Sequence, residues 1–516
     1  TYVLNSGQVS MKIHFGYNAH DWKNGQNYIP VVYDTQQLVN GHTLLVGMSG
    51  AGKTTLLRKA ISHILQTAEY LPRIHVFDVH GDIEIPRASS VRFSEQTQFG
   101  FNPLRVNPDP DFGGVRKRIQ LFMSTMNKAM RTMGPKQEAC LRNLLLDVYE
   151  QFGFNQKDPS TWVVEEETAV LLTDGTDKLY LDVPRAEKDA AKDLGAKWSG
   201  APLYCWYISP SSNYQGAITR WPPKLIARTH PTIQDVLRYA KNLLQQSFLG
   251  TGTDAVTNLE IACKAAAAYR KKVLFELRRG NADFSDASAK ADLDKARRKA
   301  VDSFSTYADS ITTGTELTTL LKYDSTDVLK SVVDRLQNLD AIGIFKPNPP
   351  PFDDHSPIWR YEINALSMEE RKLFVLFKLD ELFQAAVQRG VQSEIVEVIV
   401  LDEAHIYADD DPESIINTIA KEARKFGTAI FLASQSPTHF NSDVIASVGT
   451  KIVLGIDESF WKQSATKMRL SEEALAWIQA TKTMLVQMKG RGETKNDWVW
   501  TIISKPQGQA DQEQYA

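Results

Sequence analysis

The sequence predicts an α/β protein with a mostly parallel sheet, a large helical subdomain and a small Trp-rich inserted module. Three observations predict this fold. Short apolar runs alternate along the chain with amphipathic helical segments, which is typical of a parallel sheet covered by helices on both faces. A glycine-rich loop joins one of these apolar runs to a helix. A segment dense in Trp and turn residues interrupts the helical pattern within 160–235.

The individual elements are assigned from hydrophobic periodicity. Continuous apolar runs predict buried strands, and such runs occupy 43–47, 74–78, 395–401, 429–433, 451–456 and 484–488. Apolar residues at three- and four-residue spacing predict helices after the glycine loop, across 115–152 and across 367–390. The stretch 254–310 is helical and dense in charge, and a solvated face is preferred there over a nucleic-acid contact.

Composition limits the class of protein. The chain has 516 residues, 42% hydrophobic and 23% charged, and 59 Lys and Arg against 62 Asp and Glu leave a net charge of −3. These values are typical of a globular protein and exclude a disordered, collagen-like or disulfide-rich class. Because the charge balance is near neutral, any nucleic-acid contact would need a local basic patch.

Neither a membrane span nor a disulfide framework is expected. No stretch approaches the ~20 uncharged apolar residues of a transmembrane helix, and the first residues lack the order of a secretory signal. We therefore expect a cytoplasmic protein that does not itself span a membrane, with a peripheral place at a membrane-bound transfer machine left open. Cys140, Cys205 and Cys263 lie far apart, which favours incidental or buried thiols.

The strongest motif is a phosphate loop, GMSGAGKT, at 47–54. Its glycines let the backbone wrap around phosphate oxygens, so that successive N–H groups and the helix N-terminus point at the anion. We expect Lys53 to reach the β- and γ-phosphates of ATP and the Thr54 hydroxyl to bind Mg²⁺. The residues predicted to bind nucleotide are Gly47, Ser49, Gly50, Ala51, Gly52, Lys53, Thr54 and Thr55.

The second motif is VIVLDEAH at 398–405, in which an apolar strand delivers two acids to its carboxyl end. Open parallel sheets bind ligands at that edge. Asp402 is predicted to support Mg²⁺, directly or through water. Glu403 is predicted to be the general base that aligns and deprotonates the attacking water. The alternative is that the acids only cap the helix after the strand.

Two further candidates come from KEARKFGTAIFLASQSP at 421–437. Gln435 ends a strand, and its amide is predicted to sense the γ-phosphate or orient the water, with a simple loop hydrogen bond as the alternative. Arg424 lies on a helix between two strands. An arginine offered across a subunit boundary would stabilise the charge of the transition state, and a surface salt bridge is the alternative.

Asp78, His80 and Asp82 follow the second strand of the core in FDVHGD. They would either touch the water shell of the metal or only shape the turn. A zinc site is not expected, because no cysteine lies nearby and the other histidines are scattered.

The Trp-rich segment contains the sequence YLDVPRAEKDAAKDLGAKW, followed by CWYIS. This sequence resembles a small domain of unknown function carried by plasmid primases and antirestriction proteins. The resemblance implies a mobile-element setting rather than a particular reaction.

The motifs together resemble the HerA/FtsK superfamily of ring-forming P-loop motors, which includes the ATPases of conjugation and type IV secretion. The resemblance rests on HTLLVGMSGAGKT, FDVHGD, IVLDEAH, KEARKFGTAIFLASQSP and NSDVIASVGTKIVLGI. It implies a RecA-like core, ATP hydrolysis at subunit interfaces, a hexameric ring and translocation of DNA or a nucleoprotein. In this family the position of Arg424 carries an arginine that acts on the neighbouring subunit.

The function expected from these features is Mg²⁺-dependent ATP hydrolysis by a homo-oligomeric ring, a hexamer, that moves DNA in a plasmid or mobile-element context. Two alternatives stay open: a secretion-type ATPase acting on protein subunits beside a secretion channel, and a ring that scaffolds a partner nuclease. A DEAH-box helicase is disfavoured because it would need a second motor lobe with an arginine-rich helix, and the sequence offers no motif for such a lobe. The domain division expected is 1–112, 113–175, 176–223, 224–355 and 356–516, with the ATPase core in the first and last parts.

Overall fold

A computed structural model provides the structure of the chain. It describes residues 11–20, 29–68, 70–130, 132–164, 169–173, 178–200, 203–249, 253–280, 286–310, 322–323, 325–346, 348–411 and 414–503. The chain forms two compact units. Unit 1 comprises 1–101 and 346–516, and unit 2 comprises 102–345. The finer five-part division expected from the sequence stays a prediction.

The strands are short, and those of the central sheet are mostly buried. In chain order they are β1 (Lys12–Asn18), β2 (Pro30–Asp34), β3 (Thr43–Gly47), β4 (Arg73–Asp78), β5 (Ser89–Arg92), β6 (Ala169–Leu171), β7 (Leu179–Leu181), β8 (Lys197–Trp198), β9 (Trp206–Ile208), β10 (Leu225–Ala227), β11 (Ile358–Glu362), β12 (Glu397–Leu401), β13 (Thr428–Ser434), β14 (Thr450–Gly455), β15 (Thr483–Met488) and β16 (Trp498–Ile502).

The α-helices alternate with these strands in unit 1 and dominate unit 2. In chain order they are α1 (Lys53–Thr67), α2 (Val115–Ala129), α3 (Pro135–Gln151), α4 (Lys188–Asp193), α5 (Ile233–Leu249), α6 (Thr253–Arg278), α7 (Ala287–Ser310), α8 (Thr326–Ala341), α9 (Met368–Arg389), α10 (Ile415–Glu422), α11 (Ser442–Ser447), α12 (Trp461–Met468) and α13 (Glu472–Trp477).

Unit 1 is built on one sheet of eleven strands in the order β2-β1-β16-β15-β14-β3-β13-β12-β4-β11-β5. The seven strands from β14 to β5 run parallel, whereas β15, β16, β1 and β2 add antiparallel neighbours on the other side. Every residue of β3, β12, β13 and β14 is buried. The mostly parallel α/β core predicted from the apolar runs is therefore confirmed.

Helices cover both faces of this sheet. Leu57, Ala60, Ile61 and Ile64 form the buried stripe of α1 and share a hydrophobic cluster with Ile74 and Val76 of β4. The next residue of β4, Phe77, points the other way and packs against Phe374 of α9, with 6.4 Å between the ring centroids. The single strand β4 thus contributes to two separate core layers.

The ends of α9 show why this segment is helical where the sequence predicts it. Ser367 and Glu370 form a capping box, because the Ser367 Oγ accepts from the Glu370 N–H while the Glu370 carboxylate accepts from the Ser367 N–H. The helix ends at Gly390, whose φ of 81° suits glycine.

Unit 2 is mainly helical. Helices α2, α3, α5 and α8 pack on one another, and α6 pairs with α7 as a long hairpin. Asn258 of α6 donates to the Ser303 Oγ of α7 at 2.6 Å, and Lys272 pairs with Asp286 at 3.1 Å. The charge-dense stretch predicted to be helical therefore forms these two helices.

The Trp-rich segment forms a small module within unit 2. Strands β7, β9 and β8 pair antiparallel in that order, and α4 lies between β7 and β8 along the chain. The module has a hydrophobic core of its own, made by Leu181, Ala191, Ala196, Ile208, Ile218 and Trp221. A separate two-stranded sheet pairs β6 with β10. Among the described residues, no helix has the length and apolar character needed to cross a membrane.

Candidate functional site

The predicted site segments meet at the carboxyl ends of four parallel strands of the unit 1 sheet. Strands β3, β13, β12 and β4 are consecutive parallel neighbours, so their carboxyl ends lie side by side. The phosphate loop follows β3, Gln435 follows β13, Asp402 and Glu403 follow β12, and Asp78 ends β4. The topology therefore gathers residues separated by more than 300 positions in the sequence.

The phosphate loop has the backbone shape of an anion cradle. Gly50 and Gly52 have φ angles of 77° and 96°, which favour glycine, and Gly52 caps the N-terminus of α1. A Cβ on Gly47 would lie 3.1 Å from the Cβ atoms of Ala51 and Leu454, so a larger residue would crowd the loop. The structure describes the whole first turn of α1, and none of its residues is acidic. No carboxylate therefore competes with a bound phosphate for the helix N-terminus. These features fit a bound phosphate.

Lys53 lies under this loop and faces the acids. Its ammonium donates to the carbonyl oxygens of Gly47 at 2.8 Å and Met48 at 3.3 Å, and its side chain is mostly buried. The Lys53 Nζ also lies 3.9 Å from the Glu403 Oε1. The lysine charge is therefore held between the loop and the acid. Around it, Ala51 is buried and Thr54 half-buried, whereas Ser49, Gly50 and Thr55 are exposed.

Glu403 has an unusual backbone conformation and four polar neighbours. Its φ and ψ are both 45°, a left-handed conformation that a residue with a Cβ rarely adopts and that costs ~1–2 kcal/mol. His405 Nδ1 lies 3.1 Å and His80 Nε2 3.6 Å from its carboxylate oxygens, and Gln435 Nε2 donates to it at 3.4 Å. The fourth neighbour is Lys53. Such strain at a buried carboxylate is typical of a functional position.

The two adjacent acids have opposite pKa shifts. Burial, followed by the neighbouring Glu403 charge, raises the pKa of Asp402 to about 6. Burial alone would also raise the pKa of Glu403, but His405, Lys53 and His80 together hold that pKa below its ordinary value. Glu403 is thus the acid more firmly held as a carboxylate, and a cation beside Asp402 would lower the pKa of Asp402 again.

The acids at this edge fit a divalent cation. Carboxylate oxygens of Asp402, Asp82 and Asp78 all lie within 4.8 Å of one another. Oxygen donors of this type are what Mg²⁺ prefers. Asp402 is buried and Asp82 exposed, so the group extends from the sheet edge toward solvent.

Asp78 mainly organises the turn after β4. One of its carboxylate oxygens accepts from the Gly81 N–H at 2.7 Å, and the other accepts from the Ile83 N–H at 2.9 Å. Arg360 of β11 donates to that second oxygen through two nitrogens, at 2.9 and 2.7 Å. Of the two roles left open for Asp78, turn shaping is therefore the one its contacts satisfy.

Arg424 lies at the amino ends of the parallel strands, on the side of the sheet opposite the phosphate loop. It is exposed on a 3₁₀ turn, Ala423–Phe426, that precedes β13, whereas Gln435 follows β13. At ~3.3 Å per residue the seven residues of β13 separate these two ends by ~23 Å. Arg424 lines a cavity of about 870 Å³ together with Arg491, Lys421 and Lys425. Arg424 is therefore too far from its own chain's phosphate loop to act there.

The histidines beside Glu403 were not assigned a role from the sequence, apart from the alternatives considered for His80. His405 is part of the DEAH motif, so its closeness to Glu403 could be predicted from the sequence. His439, whose ring centroid lies 4.8 Å from that of His405, follows β13 and had no local signal. Its place at the site depends on the pairing of β13 with β12.

Three family models match the chain. "Helicase HerA, central domain" matches residues 15–126 and "Helicase HerA-like C-terminal" matches residues 365–471. The first contains the phosphate loop, and the second contains Asp402, Glu403, Arg424 and Gln435. The HerA/FtsK resemblance is therefore confirmed. Residues 178–223 match a domain of unknown function, DUF5710. The link of this module to plasmid primases stays a prediction.

Curated relatives match over short segments. A probable helicase of Methanocaldococcus jannaschii is 39% identical over 82 residues, which are 14% of this chain and 16% of the relative. The DNA double-strand break repair helicase HerA of Pyrococcus furiosus is 38% identical over 63 residues, 11% of each chain. The matches thus span less than a fifth of these relatives.

A solved structure matches over nearly the whole length. VirB4 of Thermoanaerobacter pseudethanolicus aligns over 98% of this chain and 99% of its own, with a TM-score of 0.51 and 13% identity. At this identity the likeness concerns the fold alone.

The pairing of Arg360 with Asp78 predicts a large effect on stability. Arg360→Met leaves the fully buried Asp78 carboxylate without its cation, which costs about 3–5 kcal/mol. In a unit of this size that loss lowers the thermal midpoint by on the order of 10 °C. Scanning calorimetry of the full chain measures it.

Arg92→Met is the matched control, because Arg92 is an exposed arginine on the neighbouring strand β5. Its midpoint should stay within about 2 °C of wild type, since exposed substitutions change stability little. Equal midpoints for the two variants would contradict the structural role given to Arg360.

Proposed function

We propose that this chain, which matches the HerA central and C-terminal family models, is a P-loop ATPase that works as a homo-oligomeric ring and hydrolyses ATP with Mg²⁺ to move DNA. The main support for the proposal is that the phosphate loop lies next to the acid pair, with the Lys53 Nζ 3.9 Å from the Glu403 Oε1. A phosphate cradle facing a buried carboxylate provides both the binding and the water-activating halves of a hydrolysis site.

Nucleotide binding is assigned to the phosphate loop. The residues proposed to contact ATP are Gly47, Ser49, Gly50, Ala51, Gly52, Lys53, Thr54 and Thr55. The Lys53 ammonium, which donates to the loop carbonyls, would turn to the β- and γ-phosphates. The Thr54 hydroxyl and Asp402 would hold Mg²⁺, which when bound supplies charge that neutralises phosphate oxygens.

Water activation is assigned to Glu403 and Gln435. The pKa of Glu403 is lowered, so its side chain is ionised at neutral pH and can accept a hydrogen bond from the attacking water as general base. The Gln435 amide, which donates to the same carboxylate at 3.4 Å, would help to orient that water and to sense the γ-phosphate.

Arg424 is proposed to act on the site of a neighbouring subunit. The ~23 Å span of β13 keeps it from its own phosphate loop, and its exposed side chain is available to another copy. A ring places one edge of each subunit against the other edge of the next, which is a heterologous closed interface. The arginine would stabilise the negative charge of the transition state.

A subunit-mixing experiment tests this assignment. Arg424→Ala and Glu403→Gln should each lower ATP turnover, by ~10³-fold and ~10²–10⁴-fold respectively. Mixing the two inactive proteins creates interfaces with an intact Glu403 on one side and an intact Arg424 on the other. With random mixing about a quarter of wild-type phosphate release should return.

Lys425→Ala is the matched control, because Lys425 is the adjacent exposed cation on the same turn and lines the same cavity. Its turnover should stay near wild type. A mixture that remains as inactive as its components would contradict action in trans.

The DNA part of the proposal is supported by the names of the relatives, which include a DNA double-strand break repair helicase. We expect phosphate release to rise several-fold with duplex or single-stranded DNA. The rise should be smaller at higher salt, because DNA contacts are made largely to phosphates. Measurements without DNA, with each polymer and at two salt concentrations test this, with Glu403→Gln as the blank.

A different result would favour another function. Turnover that Glu403→Gln abolishes but that neither polymer changes would contradict DNA translocation. Hydrolysis would then serve a protein substrate or a scaffolded partner.

A further inference from the structure

The carboxylate of Glu403 needs a partner that stays in place during the reaction. Under the function proposed above, Lys53 turns to the phosphates and Gln435 to the attacking water, so neither can hold this carboxylate throughout. His80 lies 3.6 Å from it, and 57% of the His80 side chain is exposed. The Nδ1 of His405 lies closer, at 3.1 Å, and only 27% of that side chain is exposed. His405 is therefore the neighbour best placed to hold Glu403 while ATP is hydrolysed.

The Nδ1 atom of His405 is committed to this acid. The atom is buried, and among the residues that the structure describes it has no hydrogen-bond partner besides the Glu403 carboxylate. His405 belongs to the 3₁₀ turn Ala404–Ile406, which begins directly after Glu403. The Ile406 N–H donates to the Glu403 carbonyl oxygen at 2.9 Å, which ties the turn to the backbone of the acid. The short turn thus keeps the imidazole beside the carboxylate.

A second histidine packs on the ring of His405. The ring centroids of His439 and His405 lie 4.8 Å apart, and the two planes meet at 31°. Burial, followed by repulsion from His405, lowers the pKa of His439, so the His439 ring is neutral at neutral pH. A neutral ring can pack on His405 without adding positive charge beside it. His439 thereby restricts the directions that the His405 ring can take.

His439 is in turn anchored to the end of β13. Ser434, the last residue of β13, is fully buried, and its hydroxyl donates to the Ser436 carbonyl oxygen at 3.3 Å. Because that hydroxyl has a single proton, its oxygen accepts from the His439 Nδ1–H, at 3.2 Å. The Ser436 Oγ also accepts from the Thr438 N–H at 3.2 Å and so caps the 3₁₀ turn that carries His439. A buried strand end therefore fixes the second histidine.

We propose that His405 and His439 are positioning residues for the hydrolysis step, with His405 aiming the Glu403 carboxylate and His439 acting through His405. The inference rests on the function proposed above, in which Glu403 aligns the attacking water. Misplacing a reacting group by ~1 Å can lower a rate by ~10²-fold. Because the contacts of the two histidines lead to Glu403 and β13 and not to the phosphate loop, losing either one should lower kcat and leave the KM for ATP unchanged.

Steady-state ATP hydrolysis by the full chain with Mg²⁺ measures kcat and KM for each variant. His405→Ala should lower kcat by ~10–100-fold and keep KM within about twofold of wild type. His405→Asn places an amide nitrogen on Cγ, where Nδ1 was, so kcat should return to within about fivefold of wild type. His355→Ala is the matched control, because His355 is exposed and precedes β11, at the amino ends of the parallel strands. It should keep wild-type kcat and KM.

A double-mutant cycle tests whether His439 acts through His405. His439→Ala should lower kcat by ~10-fold. His439→Phe keeps a flat ring against His405 and should lower kcat less. The double variant His405→Ala/His439→Ala should be no slower than His405→Ala, because His439 then has no ring left to position. Scanning calorimetry confirms that each variant is folded at the assay temperature.

Glu403→Gln, measured in parallel, separates the possible failures. Wild-type kcat in His405→Ala beside an inactive Glu403→Gln would overturn the positioning role and leave the proposed hydrolysis site intact. A raised KM with unchanged kcat would also overturn the positioning role, because that result would indicate a part in nucleotide binding. Losses that multiply in the double variant would overturn the action of His439 through His405. Wild-type turnover in Glu403→Gln would overturn both the positioning role and the proposed water activation.

Discussion

The parallel pairing of β3, β13, β12 and β4 is the constraint on which the rest of the site depends. The pairs Val46 with Ser434 and Leu432 with Leu401 set the register in which the strands end together. A shift of one residue would turn the buried side chains to the opposite face of the sheet. Because these strands are buried on both faces, such a shift would be costly. The same pairing places Arg424 at the amino end of β13, ~23 Å from the end that adjoins the phosphate loop.

At the shared edge, two neighbouring carboxylates have different environments. Asp402 is almost fully buried with few compensating charges, so its pKa rises, whereas Lys53, His80 and His405 lower the pKa of Glu403. Glu403 itself has a left-handed backbone, with φ and ψ both 45°. A pair of acids whose pKa values are pushed apart is suited to two tasks. We propose metal support for Asp402 and water activation for Glu403.

Much of the core was predictable because its signals are contiguous. The phosphate loop and the strand before Asp402 each combine an apolar run with polar residues at fixed spacing, so both were placed correctly from the sequence alone. The order of eleven strands was not predictable, since β3 pairs with β14 about 400 residues further along the chain. Arg360 and His439 were missed for the same reason: their partners at the site are set by strand pairing and leave no local pattern.

We propose that one ATP site is completed by two copies of the chain. An electron cryo-microscopy structure with Mg²⁺ and a non-hydrolysable ATP analogue tests it most directly. We expect a ring in which the analogue lies between Lys53 and Glu403 of one copy and Arg424 of the next, with the metal at Thr54 and Asp402. A nucleotide enclosed within one chain, with Arg424 facing solvent, would contradict it.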